Sequence, residues 1–408
     1  MKRNIALITL LIICMASIAL MPARAQQQDF STAGAVGETN KLIRAGKGAI
    51  PQHYIVVLDA DADGSIGNFS HNAKHANDLT AAYGGAITNV FSYAINGFAA
   101  RMTEEQALKL SSDPRVKFVE EDSVMEATTT QSNPPWGLDR IAQRDLPLNN
   151  SYSYTTTGAG VNVYIIDTGI RRTHTQFGGR AVVGFDAIGD GRNTSDCNGH
   201  GTHVSGTVGG STYGVAKGVR LFAVRVLDCN GSGSNSGVIA GVDWVTANRI
   251  RPAVANMSLG GGASAALDTA VNNSINAGVT YAIAAGNSNQ DAINFSPARV
   301  GAAITVGSTT INDARSSFSN FGSVVDIFAP GSSILSSWFS SDTATATLSG
   351  TSMATPHVAG VAARFLQSNP GATPAEVRNE LVNVSTLNRI SGIPTGTANR
   401  LLFWSSTR

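Results

Sequence analysis

Four short runs in this chain, 161–166, 220–227, 253–258 and 279–284, are dominated by apolar and β-branched residues. Segments of helical length and spacing lie at 236–248 and 263–277 between them. Strands apolar on both faces must be covered on both faces, and parallel neighbours need a helix-sized crossover. The pattern therefore predicts an α/β fold, a parallel sheet with helices on both sides. Near the C-terminus, Thr373-Pro374-Ala375-Glu376 is a capping box with proline at the first helical position, and 400–404 reads as a final strand.

Upstream the pattern changes. Residues 53–123 read as a small unit with strands at 54–58, 86–91, 97–102 and 116–120. Helices are expected at 68–83 and after the capping box Thr103-Glu104-Glu105-Gln106. The order βαββαβ is that of a split βαβ sandwich. His53, His71 and His75 show no nucleophile or ligand pattern and read as surface residues. Residues 26–52 and 124–135 are polar and read as linkers, the second ending in Pro134-Pro135.

The first 25 residues have the form of a signal peptide. Lys2 and Arg3 precede an apolar run at 5–20, and Ala23-Arg24-Ala25 fits the small-x-small cleavage rule. Export, with a secreted product, is expected. Loss of the leader removes Cys14 and leaves Cys197 and Cys229. In an oxidising compartment these predict one disulfide worth about 3–4 kcal/mol; two unpaired thiols are the other reading. Over the full 408 residues a formal net charge of +1 points to neither nucleic acid nor an anionic membrane as partner. No membrane association is expected after leader removal, and a monomer is expected.

Chemistry-bearing residues collect where the strands end. Asp167 follows an apolar strand, as either a helix cap or a working acid. His200 follows a glycine turn in Asp196-Cys197-Asn198-Gly199-His200-Gly201-Thr202-His203. Its i, i+3 partner His203 suggests a metal, but no His-Glu-x-x-His pattern, cysteine or third histidine follows at zinc spacing. Gly350-Thr351-Ser352-Met353-Ala354 places a serine at the start of an apolar helix, where free N–H groups favour negative charge. A small-residue loop before a buried helix is also ordinary packing. Pro356, just past the first turn, is expected to remove one helical hydrogen bond or kink the helix. His203 and His357 read as buried structural residues.

Asp167-Thr168-Gly169, Asn198-Gly199-His200-Gly201-Thr202-His203, Ser258-Leu259-Gly260, Ala285-Gly286-Asn287 and Gly350-Thr351-Ser352-Met353-Ala354 stand in the order seen in subtilisin-like serine proteases, which this chain resembles from near Thr129 to its end (129–408). The resemblance is nearest to the proteinase K branch and its aqualysin-type secreted bacterial members. It implies Ser352 as nucleophile, His200 as base, Asp167 as the carboxylate that orients it, and Asn287 as oxyanion donor. It implies a peptide bound between Gly231-Ser232-Gly233 and Ser258-Leu259-Gly260, with the main side-chain pocket bounded by Ala284-Ala285-Gly286. The small, uncharged wall predicts bulky apolar side chains. Residues 53–123 resemble the family's inhibitory propeptide, expected to be cut off near Thr128–Thr129 by the enzyme itself and to remain a partner in cis or trans.

The resemblance also implies structural Ca2+, held by Asp326 with the carbonyls of Gly301 and Ala303. A second site near Asp139 and Gln143 lacks its expected acidic ligand, since Ala142 stands there. The family branch's second disulfide has no cysteines here. The expected function is a secreted endopeptidase of broad, apolar-leaning specificity, made as a self-processing zymogen. A narrow processing protease is the alternative, disfavoured by the lack of acidic residues in the substrate motifs. A binding protein on the same fold would have no need of all four of Asp167, His200, Asn287 and Ser352.

Overall fold

A computed structural model describes residues 41–45, 48–59, 69–124 and 129–406. The leader lies outside the described residues, as do residues 125–128, so that of the expected Thr128–Thr129 cleavage point only Thr129 is described. The chain divides into two units, Met1–Met125 and Glu126–Arg408.

In the first unit the elements are β1 (Leu42–Ile43), β2 (Ala49–Leu58), α1 (Phe69–Tyr83), β3 (Ala86–Phe91), β4 (Gly97–Arg101), α2 (Glu104–Ser111) and β5 (Val116–Ser123). They form one sheet in the order β1-β5-β2-β4-β3. The expected βαββαβ order is present, but the unit begins before His53. Leu42 is buried and pairs with Val119; a two-residue strand has no alternation that a sequence could display. Tyr54, Val56 and Leu58 of β2 point to one face and meet Ala76 and Leu79 of α1 and Ala107 and Leu110 of α2. The predicted capping box closes α2: Thr103 accepts from the Gln106 amide, and the Gln106 side chain accepts from the Thr103 amide.

The second unit opens with β6 (Thr129–Ser132), α3 (Trp136–Ile141) and β7 (Ser151–Tyr154), with β6 and β7 antiparallel. Then follow β8 (Asn162–Asp167), β9 (Ala181–Asp186), α4 (His200–Gly209), β10 (Arg220–Arg225), α5 (Asn235–Asn248) and β11 (Ala253–Met257). Next are β12 (Gly261–Gly262), α6 (Ala265–Asn276), β13 (Val279–Ala284), β14 (Phe295–Ser296), β15 (Ile304–Thr309) and β16 (Ile327–Pro330). The chain closes with β17 (Ile334–Ser337), β18 (Thr345–Leu348), α7 (Thr351–Ser368), α8 (Pro374–Val384), β19 (Thr386–Leu387) and β20 (Arg400–Leu401).

The main sheet runs β19-β20-β16-β15-β13-β11-β8-β10-β9, and every pairing in it except β19–β20 is parallel. Strand alternation feeds two cores. Val163, Ile165, Leu221 and Ala223 face α4 and α7, while Tyr164, Ile166, Phe222 and Val224 face α5 and α6. Both faces are thus covered, as the apolar runs require. The last strand is shorter than predicted. Beyond Leu401 the ladder gives way to single bonds from Leu402 to Phe328 and from Trp404 to Ile141, so that apolar run is core packing rather than strand.

Candidate active site

Asp167 is the last residue of β8, not the residue after it, and is fully buried. Its Oδ1 and Oδ2 lie 2.8 and 3.0 Å from His200 Nδ1. His200 is the first residue of α4, and its side chain is 26% exposed. The ring therefore has one nitrogen fixed by a buried carboxylate and an open edge. Gly199 caps α4 at φ 111°, with Trp338 packed so closely that a Cβ would sit 2.5 Å from the indole. Only glycine fits there.

Asp196 ties these pieces together, a role the sequence did not announce. Its Oδ1 accepts from Thr168 Oγ1 and from the amides of Asn198 and Gly199, and its Oδ2 accepts from the Thr202 amide and hydroxyl. One side chain thus joins the end of β8 to the start of α4. Burial opposes the charged form of His200, but Asp167, by charge and hydrogen bond, and the charge of Asp196 outweigh it, so its pKa is raised above the ordinary 6.5. A base works only when neutral. The acid limb of kcat/KM should therefore lie above pH 6.5, and Asp196→Asn should move it to lower pH; a pH–rate profile of both proteins checks the direction.

Ser352 is the second residue of α7, where its amide has no intrahelical acceptor. Its hydroxyl donates to Ser258 O at 3.0 Å, while Ser258 Oγ donates to Ser352 O at 2.9 Å. The second bond has a local cause. Pro356 lies four residues on and lacks the N–H that would have bonded Ser352 O. The helix runs through Pro356, and the vacant carbonyl is taken by Ser258. Ser352 Oγ thus has Ser258 O as its hydrogen-bond acceptor here; catalytic hydrogen bonds often form only once substrate binds.

Asn287 is held by Thr351, whose amide and hydroxyl donate to Oδ1 at 2.8 and 2.9 Å. With Oδ1 committed, Nδ2 is the end left to donate. Asn320, fully buried, fixes the loop around it: its Oδ1 accepts from Ser288 and Gln290 amides, and its Nδ2 donates to Ala285 O. Thr351 lies inside a quoted motif but without a role assigned to it, and Asn320 carried no sequence signal.

Two clefts meet here. One of about 490 Å³ is lined by His200, Gly231, Ser232, Gly233, Ser258, Leu259 and Gly260. The other, about 240 Å³, is lined by Leu259, Gly260, Ala284, Ala285, Gly286, Asn287, Phe295 and Ser352. The second contains no charged residue; Phe295 is an addition that sequence reasoning missed. The Cys197–Cys229 disulfide is formed, with Cα atoms 4.9 Å apart. It joins the loop before His200 to the loop before Gly231, and Asn198 Nδ2 donates to Cys229 O across the same seam.

His203 and His357 are buried, and burial lowers each pKa to about 4, leaving neutral structural imidazoles. His174 is also buried; its Nδ1 accepts from the Gln176 amide. The expected calcium ligand Asp326 is otherwise engaged. Its Oδ2 accepts from the Thr305 amide and its Oδ1 pairs with the Arg378 guanidinium. A cation there would face that guanidinium, so the donors as arranged do not fit calcium. Asp139 is likewise committed, accepting from the Asn150 amide at 2.7 Å. Among the described residues no group of three His, Cys, Asp or Glu could hold a metal ion.

Comparison with known proteins follows the same division. The subtilase family profile matches residues 158–399, and the peptidase inhibitor I9 profile matches residues 53–128. An extracellular serine proteinase of Thermus sp. (strain Rt41A) is 58% identical over 320 residues, 78% of each chain. Alkaline serine exoprotease A of Vibrio alginolyticus is 51% identical over 364 residues, 87% of this chain and 68% of its own. A crystal structure of a cold adapted subtilisin-like serine proteinase is similar at TM-score 0.65 and 58% identity, over 67% of this chain and 98% of that one.

Proposed function

We propose, from the premise that this chain belongs to the subtilase family, that Asp167, His200, Ser352 and Asn287 carry out its hydrolysis of peptide bonds. The protein is a serine endopeptidase made as a zymogen, with an autoinhibitory N-terminal domain of the inhibitor I9 kind. The observation that carries the assignment is the His200 ring, held by buried Asp167 with its open edge on a cleft.

In the proposed first step the Ser352 hydroxyl exchanges Ser258 O for His200 Nε2 as its acceptor. His200 then takes the proton as Ser352 Oγ attacks the carbonyl carbon. The oxyanion that forms is met by Asn287 Nδ2 and the Ser352 amide. His200 returns the proton to the leaving amine, and water, activated by the same ring, releases the acyl group. Asp167 fixes the tautomer and stabilises the imidazolium.

An uncharged 240 Å³ pocket supports a preference for bulky apolar side chains, and pairing with the two glycine-rich edges supports breadth. Digestion of an unfolded protein followed by fragment mapping tests this: many cuts after large apolar residues are expected, and a single cut or a basic preference would sink the broad reading. Export through the 1–25 leader, self-cleavage near Thr129 and a monomeric product complete the proposal.

Structural calcium is no part of the hydrolysis. Because Asp326 is paired with Arg378, Asp326→Asn should lower Tm as much in EDTA as in excess Ca2+. A penalty seen only with calcium present would instead make Asp326 a calcium ligand that displaces Arg378.

A further inference from the structure

Helix α1 brings together two histidines that the sequence left as unrelated surface residues. His71 and His75 are one turn apart on the same face. Their Nε2 atoms are 3.0 Å apart, with ring centroids 4.5 Å apart and planes at 71°. His75 Nδ1 is buried with no partner. Both rings are partly buried.

Such a contact is held by a single proton, one imidazole donating and the other accepting. Two imidazolium ions at this distance would repel. A divalent metal can replace the shared proton. With each nitrogen about 2.0–2.1 Å from the metal and an angle of about 90–110° between them, the nitrogens sit about 2.9–3.4 Å apart. The observed separation lies in that window, so the two nitrogens need not move apart on loading; the rings turn so that both lone pairs meet at the metal.

We propose that His71 and His75 form a two-histidine site for a divalent first-row transition metal, Zn2+ or Cu2+, on α1 of the N-terminal domain. These two nitrogens are the ligands assigned here; among the described residues no group of three His, Cys, Asp or Glu could hold a metal ion. With no acceptor for His75 Nδ1–H, the site is weaker than a structural zinc site, where such a partner raises ligand basicity. The ion clips one turn of α1, whose Ala76 and Leu79 anchor it to the domain core. Binding to the folded form alone lowers the unfolding constant about 100-fold at a metal concentration 100 times Kd. An inhibitor domain that unfolds less is digested more slowly, so metal prolongs latency; this half rests on the inhibitory reading of residues 53–123.

The full-length Ser352→Ala precursor, which removes the proposed nucleophile and leaves both histidines in place, is titrated calorimetrically with Zn2+ and with Cu2+. Hydrogen exchange is followed across residues 69–83. One equivalent is expected at neutral pH, lost in His71→Gln and His75→Gln, and kept in His53→Gln. Exchange across 69–83 should slow in parallel. Undiminished binding in both pair variants, or no binding by the precursor, would overturn the site. Neither readout depends on proteolysis. Binding at the pair with unchanged survival of the domain in the wild-type precursor would overturn the latency claim alone.

Discussion

Ser352→Ala is expected to leave the chain at precursor length and to reduce peptide hydrolysis by about 10⁶-fold, the size known for loss of the nucleophile in subtilisin. The substitution removes one oxygen at a half-buried position at the start of α7. It deletes the Ser352 Oγ bond to Ser258 O but keeps the Ser258 Oγ bond to Ser352 O. The fold should survive, because the second bond is the one that fills the Pro356 vacancy. Intact mass and N-terminal sequencing of both proteins decide the matter. A wild type beginning near Thr129 beside an uncut mutant identifies nucleophile and self-cleavage together. Identical processing in both would assign maturation to another protease and leave the peptidase assay to judge Ser352.

Asn287→Leu is expected to lower kcat by about 10²–10³ with little change in KM, equivalent to about 2.7–4 kcal/mol; this range is the one established for the same donor in subtilisin. Leucine matches asparagine in size but cannot donate. The effect belongs to kcat because the oxyanion exists only after attack. The geometry sharpens the expectation. Thr351 occupies Asn287 Oδ1 through two bonds, so the amide is oriented before substrate arrives. Thr351→Val, which keeps the main-chain bond and deletes the hydroxyl one, should therefore cost less than Asn287→Leu. Steady-state kinetics on one peptide substrate separates the two. Equal losses in kcat/KM carried wholly by KM would assign Asn287 to substrate binding instead.

What the sequence made legible was local or periodic. Strands β8, β10, β11 and β13 could be read because their residues alternate between two cores. Asp167, His200, Asn287 and Ser352 could be read because glycine-bounded motifs stand beside each. The hidden features are pairings between distant positions. Asp196 looks like any loop acid until Thr168 and Thr202 are folded onto it. Asp326 looked available to calcium because Arg378 is 52 residues away. His71 and His75 had visible spacing, but only the helical register turns spacing into a 3.0 Å contact. Leu42 escaped notice because β1 is too short to show a period.

The reciprocal bonds between Ser258 and Ser352 have a consequence for alignment. The residue proposed to grip the peptide backbone and the residue proposed to cut it belong to segments 94 positions apart. Each supplies a hydrogen-bond partner to the other, and Asn256 Nδ2 steadies the Ser258 hydroxyl from behind at 2.9 Å. The two bonds couple the positions of these segments, so a shift of one pulls on the other. Had position 356 been an alanine, its amide would have claimed Ser352 O, and the two segments would have lost one of their two couplings. A missing proton donor inside one helix thus acts as a gauge that keeps two unrelated parts of the chain in register.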